Sequence, residues 1–449
     1  MTSVRERLDG WLARLGLARP ETRAWALYDW ANSAFVTTVT AAVFPVYFSQ
    51  VAAGGMPEAE ATARFGTATT VALGIVAVLA PYLGALADFT ARKKRFLGIF
   101  LGVGVAATAG RFFVGRGDWH LGALLFVLGN VGAWGSFVFY DALLPHVARE
   151  GELDRLTTAA FALGYLGGGL LLALNLAWIT RPDWFGMGDA DPTLPSRLSF
   201  LSVAVWWALF SIPLFRVVSE PPRRMDPDED PAQAAAKAAW RRLVRAFRGL
   251  RDYRQAFVFL VAFLLYNDGI QTIFRFATIY GTEIGIGRDA LVAAILMVQF
   301  VGVPFAFLFG GLADRLGPKP SIYLGLAVYV AVTVLGYHMT TAVHFFALAG
   351  LVAMVQGGTQ ALSRSLFASM IPAHKSGEFF GFYGVMEKFA GIFGPALFTG
   401  FVAFTGSSRN AILAVAVLFV AGGAVLAAVD VEAGRRAARE AEDEARRVE

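Results

Sequence analysis

Apolar residues gather along the chain into twelve runs, at 24–51, 67–87, 96–114, 120–144, 156–179, 198–215, 255–283, 290–313, 321–339, 342–370, 379–405 and 411–429. They are roughly 18 to 28 residues long, the length of helix that spans a hydrocarbon layer of about 30 Å. Lipid offers the backbone no hydrogen-bond partners, so each run is expected to be a helix that pairs its own N–H and C=O groups. Polar residues inside the runs keep helical spacing. Asp29, Asn32, Ser33, Thr37 and Thr40 mark one face of the first run, and Asp268, Gln271 or Thr272, and Arg275 mark one face of the seventh. A charge at the bilayer centre costs about 2.5 to 3.5 kcal/mol. Asp268, Arg275, Glu387 and Lys388 facing lipid together would cost on the order of 10 kcal/mol, as much as a whole domain's stability. These groups are therefore expected to face the interior of the bundle.

The runs fall into two related sets. Gly84-Ala-Leu-Ala-Asp88-Phe-Thr-Ala-Arg92-Lys93 ends the second run, and Gly310-Gly-Leu-Ala-Asp314-Arg315-Leu-Gly-Pro-Lys319 ends the eighth. In both, Asp lies four and Lys nine residues after the first Gly. Leu144-Pro145-His146 with Gly151-Glu152, before the fifth run, returns as Ile371-Pro372-Ala-His374 with Gly377-Glu378, before the eleventh. Tyr28-Asp29-Trp30-Ala-Asn32 likewise answers Tyr266-Asn267-Asp268-Gly269. A repeat of this length makes the chain two six-helix halves. The fold expected is all-α and membrane-integral, with twelve transmembrane helices in two pseudo-symmetric six-helix bundles.

Charge orients the bundle. Of 39 Lys and Arg, 30 fall in segments that are cytoplasmic if both termini are, at 1–23, 88–95, 145–155, 216–254, 314–320, 364–378 and 430–449. Only Arg64, Arg111, Arg116, Arg181, Arg197, Arg288 and Arg409 fall on the other side, with Arg275 and Lys388 inside helices. That excess is the positive-inside bias. The formal net charge of +5 then reflects topology rather than nucleic-acid binding. Overall, 56% of residues are hydrophobic and 16% charged, too few charges to cover a soluble globule, which carries about 25%.

The segments between follow. Residues 1–23 form a cytoplasmic interfacial segment, with Leu8, Trp11, Leu12 and Leu15 on one helical face; the apolar run after it is too long for a cleavable signal. The N-terminal bundle covers 24–215 and the C-terminal bundle 255–430. Between them, the cytoplasmic linker 216–254 starts flexible and acidic around Asp226 to Asp230, then carries a basic amphipathic helix. Trp240, Leu243, Val244, Phe247 and Leu250 oppose Arg241, Arg242, Arg245, Arg248 and Arg251, a pattern suited to an anionic membrane surface. The charged cytoplasmic tail, 431–449, pairs Glu432 with Arg436, Glu442 with Arg446 and Asp443 with Arg447, as an exposed helix does. The chain has no cysteine, and its five histidines show no ligand spacing, so neither a metal nor another cofactor is expected.

The repeated Gly84 and Gly310 loops resemble those that follow helices 2 and 8 of the major facilitator superfamily. The resemblance implies a latch that holds the cytoplasmic side shut: Asp88 faces the start of helix 11 near Ser376, and Asp314 the start of helix 5 near Thr157. Charge supplies a reason, because a carboxylate at a helix C-terminus is unfavourable unless a cation or another helix's N-terminus meets it. The gating residues are then Gly84, Asp88, Arg92, Gly310, Asp314, Arg315 and Lys319. Phe89 and Ala91 depart from the pattern, which has a basic residue and a Gly there, and Pro318 stands for its Arg. The superfamily also lines its cavity with helices 1, 4, 7 and 10. Helix 4 offers Asn130, Trp134 and Asp141, and helix 10 offers Gln356, Gln360, Ser363 and Arg364.

At a rise of about 1.5 Å per residue, Asp29 and Asp141 lie in the cytoplasmic third and Asp268 near the midplane, the depth at which transporters bind their solutes. Glu387 and Lys388 are adjacent, about 100° apart around helix 11, and are expected to point in different directions. Asp268 with Arg275 or Lys388 is either a fixed interhelical ion pair or part of a solute or proton site. The candidates for solute binding or proton coupling are Asp29, Asn32, Asn130, Trp134, Asp268, Gln271, Arg275, Gln360, Glu387 and Lys388.

A longer string is more specific. Trp25-Ala-Leu-Tyr28-Asp29-Trp30-Ala31-Asn32-Ser33-Ala34-Phe35 resembles the start of the family of the fungal vacuolar amino-acid effluxer and its bacterial relatives. Tyr165-Leu-Gly-Gly168-Gly, Gln360-Ala-Leu-Ser363-Arg364-Ser365, and Phe379-Phe-Gly381-Phe-Tyr383 through Lys388 to Gly394-Pro395 extend the match over the membrane part. The resemblance implies a secondary active transporter of a small polar solute, amino acids among the candidates. Alternating access, proton coupling, a monomer and a multi-pass place in the inner (cytoplasmic) membrane are expected with it. A membrane enzyme would need a nucleophile with its base, or a metal constellation, and no His or Cys grouping provides one. The alternative is a non-transporting receptor or scaffold on a transporter fold.

Overall fold

The computed structural model describes residues 10–149, 151–187, 191–223, 234–248, 253–283, 285–390, 393–405 and 408–447. Among them, twelve helices are long and apolar enough to cross a membrane: α1 (Pro20–Ala52), α2 (Glu60–Thr90), α3 (Lys93–Phe113), α4 (Trp119–Val147), α5 (Leu153–Thr180), α6 (Leu194–Val217), α7 (Arg254–Thr282), α8 (Ala290–Leu316), α9 (Pro318–Tyr337), α10 (Ala342–Ser369), α11 (Ala373–Thr405) and α12 (Arg409–Ala427). A linker helix, Ala235–Arg248, lies between α6 and α7, and a tail helix, Val431–Arg447, follows α12. No strand occurs among the described residues.

Helix breakers sit where the ladder is irregular. In α1 the α-helix of Pro20–Ala34 widens into a π-helical stretch over Phe35–Ala42, just before Pro45, which has no N–H to give. The α-helix of α11 ends at Phe389 and resumes at Phe393. The two halves repeat at the level of single hydrogen bonds. Tyr28 Oη donates to Ser136 Oγ at 2.8 Å, tying α1 to α4, and the Tyr266 and Ser363 hydroxyls meet at 2.6 Å, tying α7 to α10.

The linker helix, the tail helix and the approach to α1 lie at one end of the bundle, the linker face. There Arg19 pairs with Glu152 at 2.6 Å, and Arg242 lies over the Phe89 ring at the end of α2. Packing differs between the two ends. At the linker face one apolar core joins both halves, from Leu17, Trp25 and Leu143 to Phe259, Phe367 and Phe379. Toward the opposite face the cores are separate, one built from Phe44, Phe126 and Trp207 of the first half, the other from Tyr280, Met339 and Phe345 of the second. The halves are thus closed on each other at the linker face and parted beyond it.

Three expectations change in three dimensions. Arg111, counted with the loops of the face opposite the linker, is fully buried, its guanidinium over the Phe44 and Phe126 rings and its Nη2 donating to the Leu125 carbonyl. Cation–π contact and carbonyl acceptance are what make that burial tolerable. Arg242, assigned to the solvated side of the linker helix, is buried with Ala238 and Ala239, while Trp240 is 60% exposed. The side chains of Phe247 and Leu250 lie outside the described residues. The tail helix is not a free exposed helix. Gly434, Ala438 and Ala445 form a buried small-residue face, and the Ala373 N–H donates to Glu442.

Candidate transport site

A cavity of about 790 Å3 lies between the halves. Its lining begins at Asp29, Asp141 and Arg364 on the linker-face side and reaches Tyr280, Leu291, Met339 and Phe345 toward the other. Charge and amides concentrate at its floor. Its upper wall carries the rings of Phe274, Phe276, Phe345 and Phe398, with Arg275 among them.

Three charged residues build the floor. Arg364, from α10, donates through Nη2 to Asp29 Oδ2 of α1 at 3.0 Å and through Nη1 to Asp141 Oδ1 of α4 at 3.1 Å. Its guanidinium lies over the rings of Trp25, Tyr140 and Phe161, 5.0, 5.6 and 4.7 Å from their centroids. The scaffold beneath is stiff: Trp25 stacks on Tyr140 with centroids 4.4 Å apart and donates its indole N–H to the Tyr140 carbonyl. Arg364 falls within the apolar run 342–370 and sits inside α10, 5% exposed, although the charge count along the chain groups it with the segment 364–378; neither it nor Asp141 is among the candidates that the sequence names for solute or proton. The one signal that points to it is its place in Gln360-Ala-Leu-Ser363-Arg364, one helical turn after Gln360.

Nearer mid-depth, Lys388 Nζ lies 3.1 Å from the Trp134 ring centroid and 3.1 Å from Glu387 Oε2. The neighbours therefore meet, contrary to the divergence expected from their positions, because two long stems can close an angle of about 100° between adjacent residues. Trp134 donates to Asn130 Oδ1 at 3.2 Å, and Asn130 Nδ2 donates to the Phe126 carbonyl at 2.8 Å. Asn32 Nδ2 lies 3.5 Å from Asp29 Oδ1. Asn32, Asn130, Gln271, Arg275 and Gln360 all line the cavity.

Asp268 does not line it. The residue is fully buried, and its Oδ2 accepts the Gly394 N–H at 2.7 Å, next to the point where α11 resumes. That carboxylate faces a helix N-terminus, where its charge is stabilised by the unpaired backbone N–H groups. At Oδ2 the carboxylate therefore has a backbone partner from α11.

Two contacts shut the linker face. Asp88 accepts the N–H groups of Gly377 and Glu378 at 3.1 and 2.9 Å, so the end of α2 caps α11. Lys93 Nζ lies 2.8 Å from the same carboxylate. Gly84 makes the approach possible, since a Cβ there would lie 2.0 Å from the Gly377 carbonyl oxygen. On the other side Asp314 pairs with Arg155 at 2.6 Å, two residues before Thr157, and Gly310 packs on Thr158. Arg92 and Arg315 are exposed. Lys319 departs from its counterpart Lys93. Its ammonium donates to the carbonyls of Ala427 and Val429 at the end of α12, as cations at helix C-termini do.

Twelve helices in two halves that enclose a charged mid-depth cavity define a transporter of the major facilitator superfamily. The human organic anion transporter MFSD10 shares the fold, with a TM-score of 0.70 at 13% identity over 91% of this chain and 99% of that one. The model of the family described as "Vacuole effluxer Atg22 like" matches residues 60–439, and the chain belongs to that family. An uncharacterized MFS-type transporter, YxiO of Bacillus subtilis (strain 168), is 38% identical over 419 residues, covering 92% of this chain and 95% of YxiO. Autophagy-related protein 22-1 of Phaeosphaeria nodorum is 25% identical over 446 residues, covering 84% of this chain and 78% of the fungal protein.

Proposed function

We propose that the chain is a secondary active transporter that moves a small zwitterionic solute, an amino acid or a close analogue, by alternating access and with proton coupling. The observation that carries this reading is the packing contrast: one core shared by both halves at the linker face, two separate cores beyond it, and a charged cavity between. Such a body can rock about a site held at mid-depth. A zwitterion suits a cavity that offers carboxylates and a guanidinium at its floor and an ammonium nearer mid-depth, with amides to orient it and aromatic rings to pack its apolar part. The family description, an effluxer of the vacuole, agrees with a transport role.

The positive-inside bias supports a cytoplasmic linker face, in which case the present conformation is closed to the cytoplasm. The same reading places the chain in the inner membrane as a monomer. Uptake of pooled radiolabelled amino acids into proteoliposomes, with and without an imposed pH gradient, tests it. Accumulation that depends on the protein and on the gradient is expected. Accumulation equal to that of empty liposomes across amino acids and other small polar solutes would overturn it.

A further inference from the structure

The floor of the cavity holds one cation for two carboxylates, and the three groups come from different halves. Asp29 and Asp141 belong to α1 and α4, and Arg364 to α10. Opening the linker face separates α10 from α1 and α4, so Arg364 leaves while the two aspartates stay together. Their spacing is short, because the two terminal nitrogens of one guanidinium reach both. Two carboxylates that share a site without a cation do not both remain ionised.

Resting on the transport reading above, we propose that Asp29 and Asp141 form the proton-coupling gate of this transporter. The pair takes up one proton from the medium, delivered as hydronium through the cavity water, as Arg364 withdraws, and protonation in turn favours the state open at the linker face. One O–H bond of hydronium is broken and one carboxyl O–H bond forms, leaving water, while the Arg364 hydrogen bonds are given up. The surrounding groups do not substitute for the lost cation. Asn32 on α1 is neutral, as are Tyr140 on α4, Phe161 on α5, and Gln360 on α10. On α11, Tyr383 is a neutral phenol, and Lys388 is already held by Glu387 at 3.1 Å. The open state therefore binds one proton more than the closed one. The open-to-closed ratio then rises by up to about tenfold for each pH unit of acidification.

The absence of native cysteine makes the gate measurable. Thr158, fully buried where α5 meets Gly310 of α8, would carry a single cysteine. Its maleimide labelling rate in detergent micelles is divided by that of Glu440→Cys, at an exposed position of the tail helix, which removes the pH dependence of thiol chemistry. In the parent this ratio should climb as the pH falls. In Asp141→Asn it should start high and lose most of its slope; Asp29→Asn, made separately, provides the same test should the first variant fail to fold. A flat parent ratio, or parental slopes in both variants, would overturn the gate. A sloping ratio that Asp141→Asn flattens, in a protein that accumulates no solute under a pH gradient, supports the gate and overturns the transport reading. Gradient-driven uptake with flat labelling does the reverse.

Discussion

Lys93 Nζ lies 3.0 Å from Nε2 of His146, and as an ammonium can only donate, the bond runs from Lys93 to the imidazole. The same ammonium lies 2.8 Å from Asp88, with side-chain exposures of 4% and 0% for the two residues. Lys93, Asp88, His146 and Ser376 so form a buried polar joint between α2, α3, α4 and α11, with Ser376 Oγ donating to the Ala142 carbonyl. Removing one member of a buried pair leaves the other uncompensated, which costs about 3 to 5 kcal/mol. Asp88→Ala should lower the thermal midpoint in detergent markedly, and Asp88→Ala with Lys93→Met should recover much of the loss. Equal midpoints for parent and Asp88→Ala would show that the joint contributes little. The Arg155–Asp314 pair, exposed by 41% and 28%, should matter far less, about 1 kcal/mol or under.

The two repeated loops turn through the left-handed region at corresponding positions. Ala91 has φ 50° and ψ 50°, and Gly317, its counterpart in the second loop, has φ 87° and ψ 161°. A side chain at such a φ is strained by roughly 1 to 2 kcal/mol. Ala91→Gly should therefore stabilise the protein, by about 1 kcal/mol at most, since Gly also gains freedom when unfolded. Gly317→Ala should destabilise it by more. Thermal midpoints of the two variants moving in the same direction would contradict the assignment of strain.

Oδ2 of Asp268 accepts a backbone N–H. Asp268→Asn keeps an oxygen to accept from Gly394, whereas Asp268→Ala leaves that N–H unpaired in the interior, at a cost of about 1 to 3 kcal/mol. Asn is expected to support solute uptake and Ala to lower the melting temperature. Loss of pH-gradient-driven uptake in a well-folded Asp268→Asn variant would instead give the carboxylate a coupling role.

Outside the membrane, Glu152 ties the α4–α5 turn to Arg19. Partial burial pushes its carboxyl up, but the Arg149 N–H and the Arg19 guanidinium outweigh burial and hold it below its ordinary 4.5. A depressed carboxyl contributes stability above the unfolded value and loses it as pH falls through the folded one. The midpoint difference between parent and Glu152→Gln should thus be present near neutral pH and disappear in the acid range below 4.5. A difference that persists or grows there would assign the effect to shape rather than charge.

Much of the architecture is readable along the chain because lipid makes it a local problem. A span must satisfy its own backbone and show apolar side chains over its whole length, and the paired Asp88 and Asp314 loops expose the duplication. The interior polarity of Asp29, Asn32, Asn130, Gln271 and Gln360 is likewise readable, since stripes at helical spacing are one-dimensional patterns.

Partners are not readable. Arg364 lies 223 residues from Asp141 and 335 from Asp29, and neither distance leaves a trace in spacing or periodicity. Asp268, placed at mid-depth by counting residues, turns to a helix N-terminus that exists only because α11 stops at Phe389 and starts again at Phe393. Lys93 and Lys319 hold equivalent places in the repeat, yet one joins a carboxylate and the other the end of α12. The sequence alone determined the number of spans, the two halves and the burial of charge, because each follows from the free energy of a segment in lipid. Which charges meet across the halves, and hence where the cavity floor lies, was decided only when twelve helices packed, because that depends on rotation and depth of one helix against another.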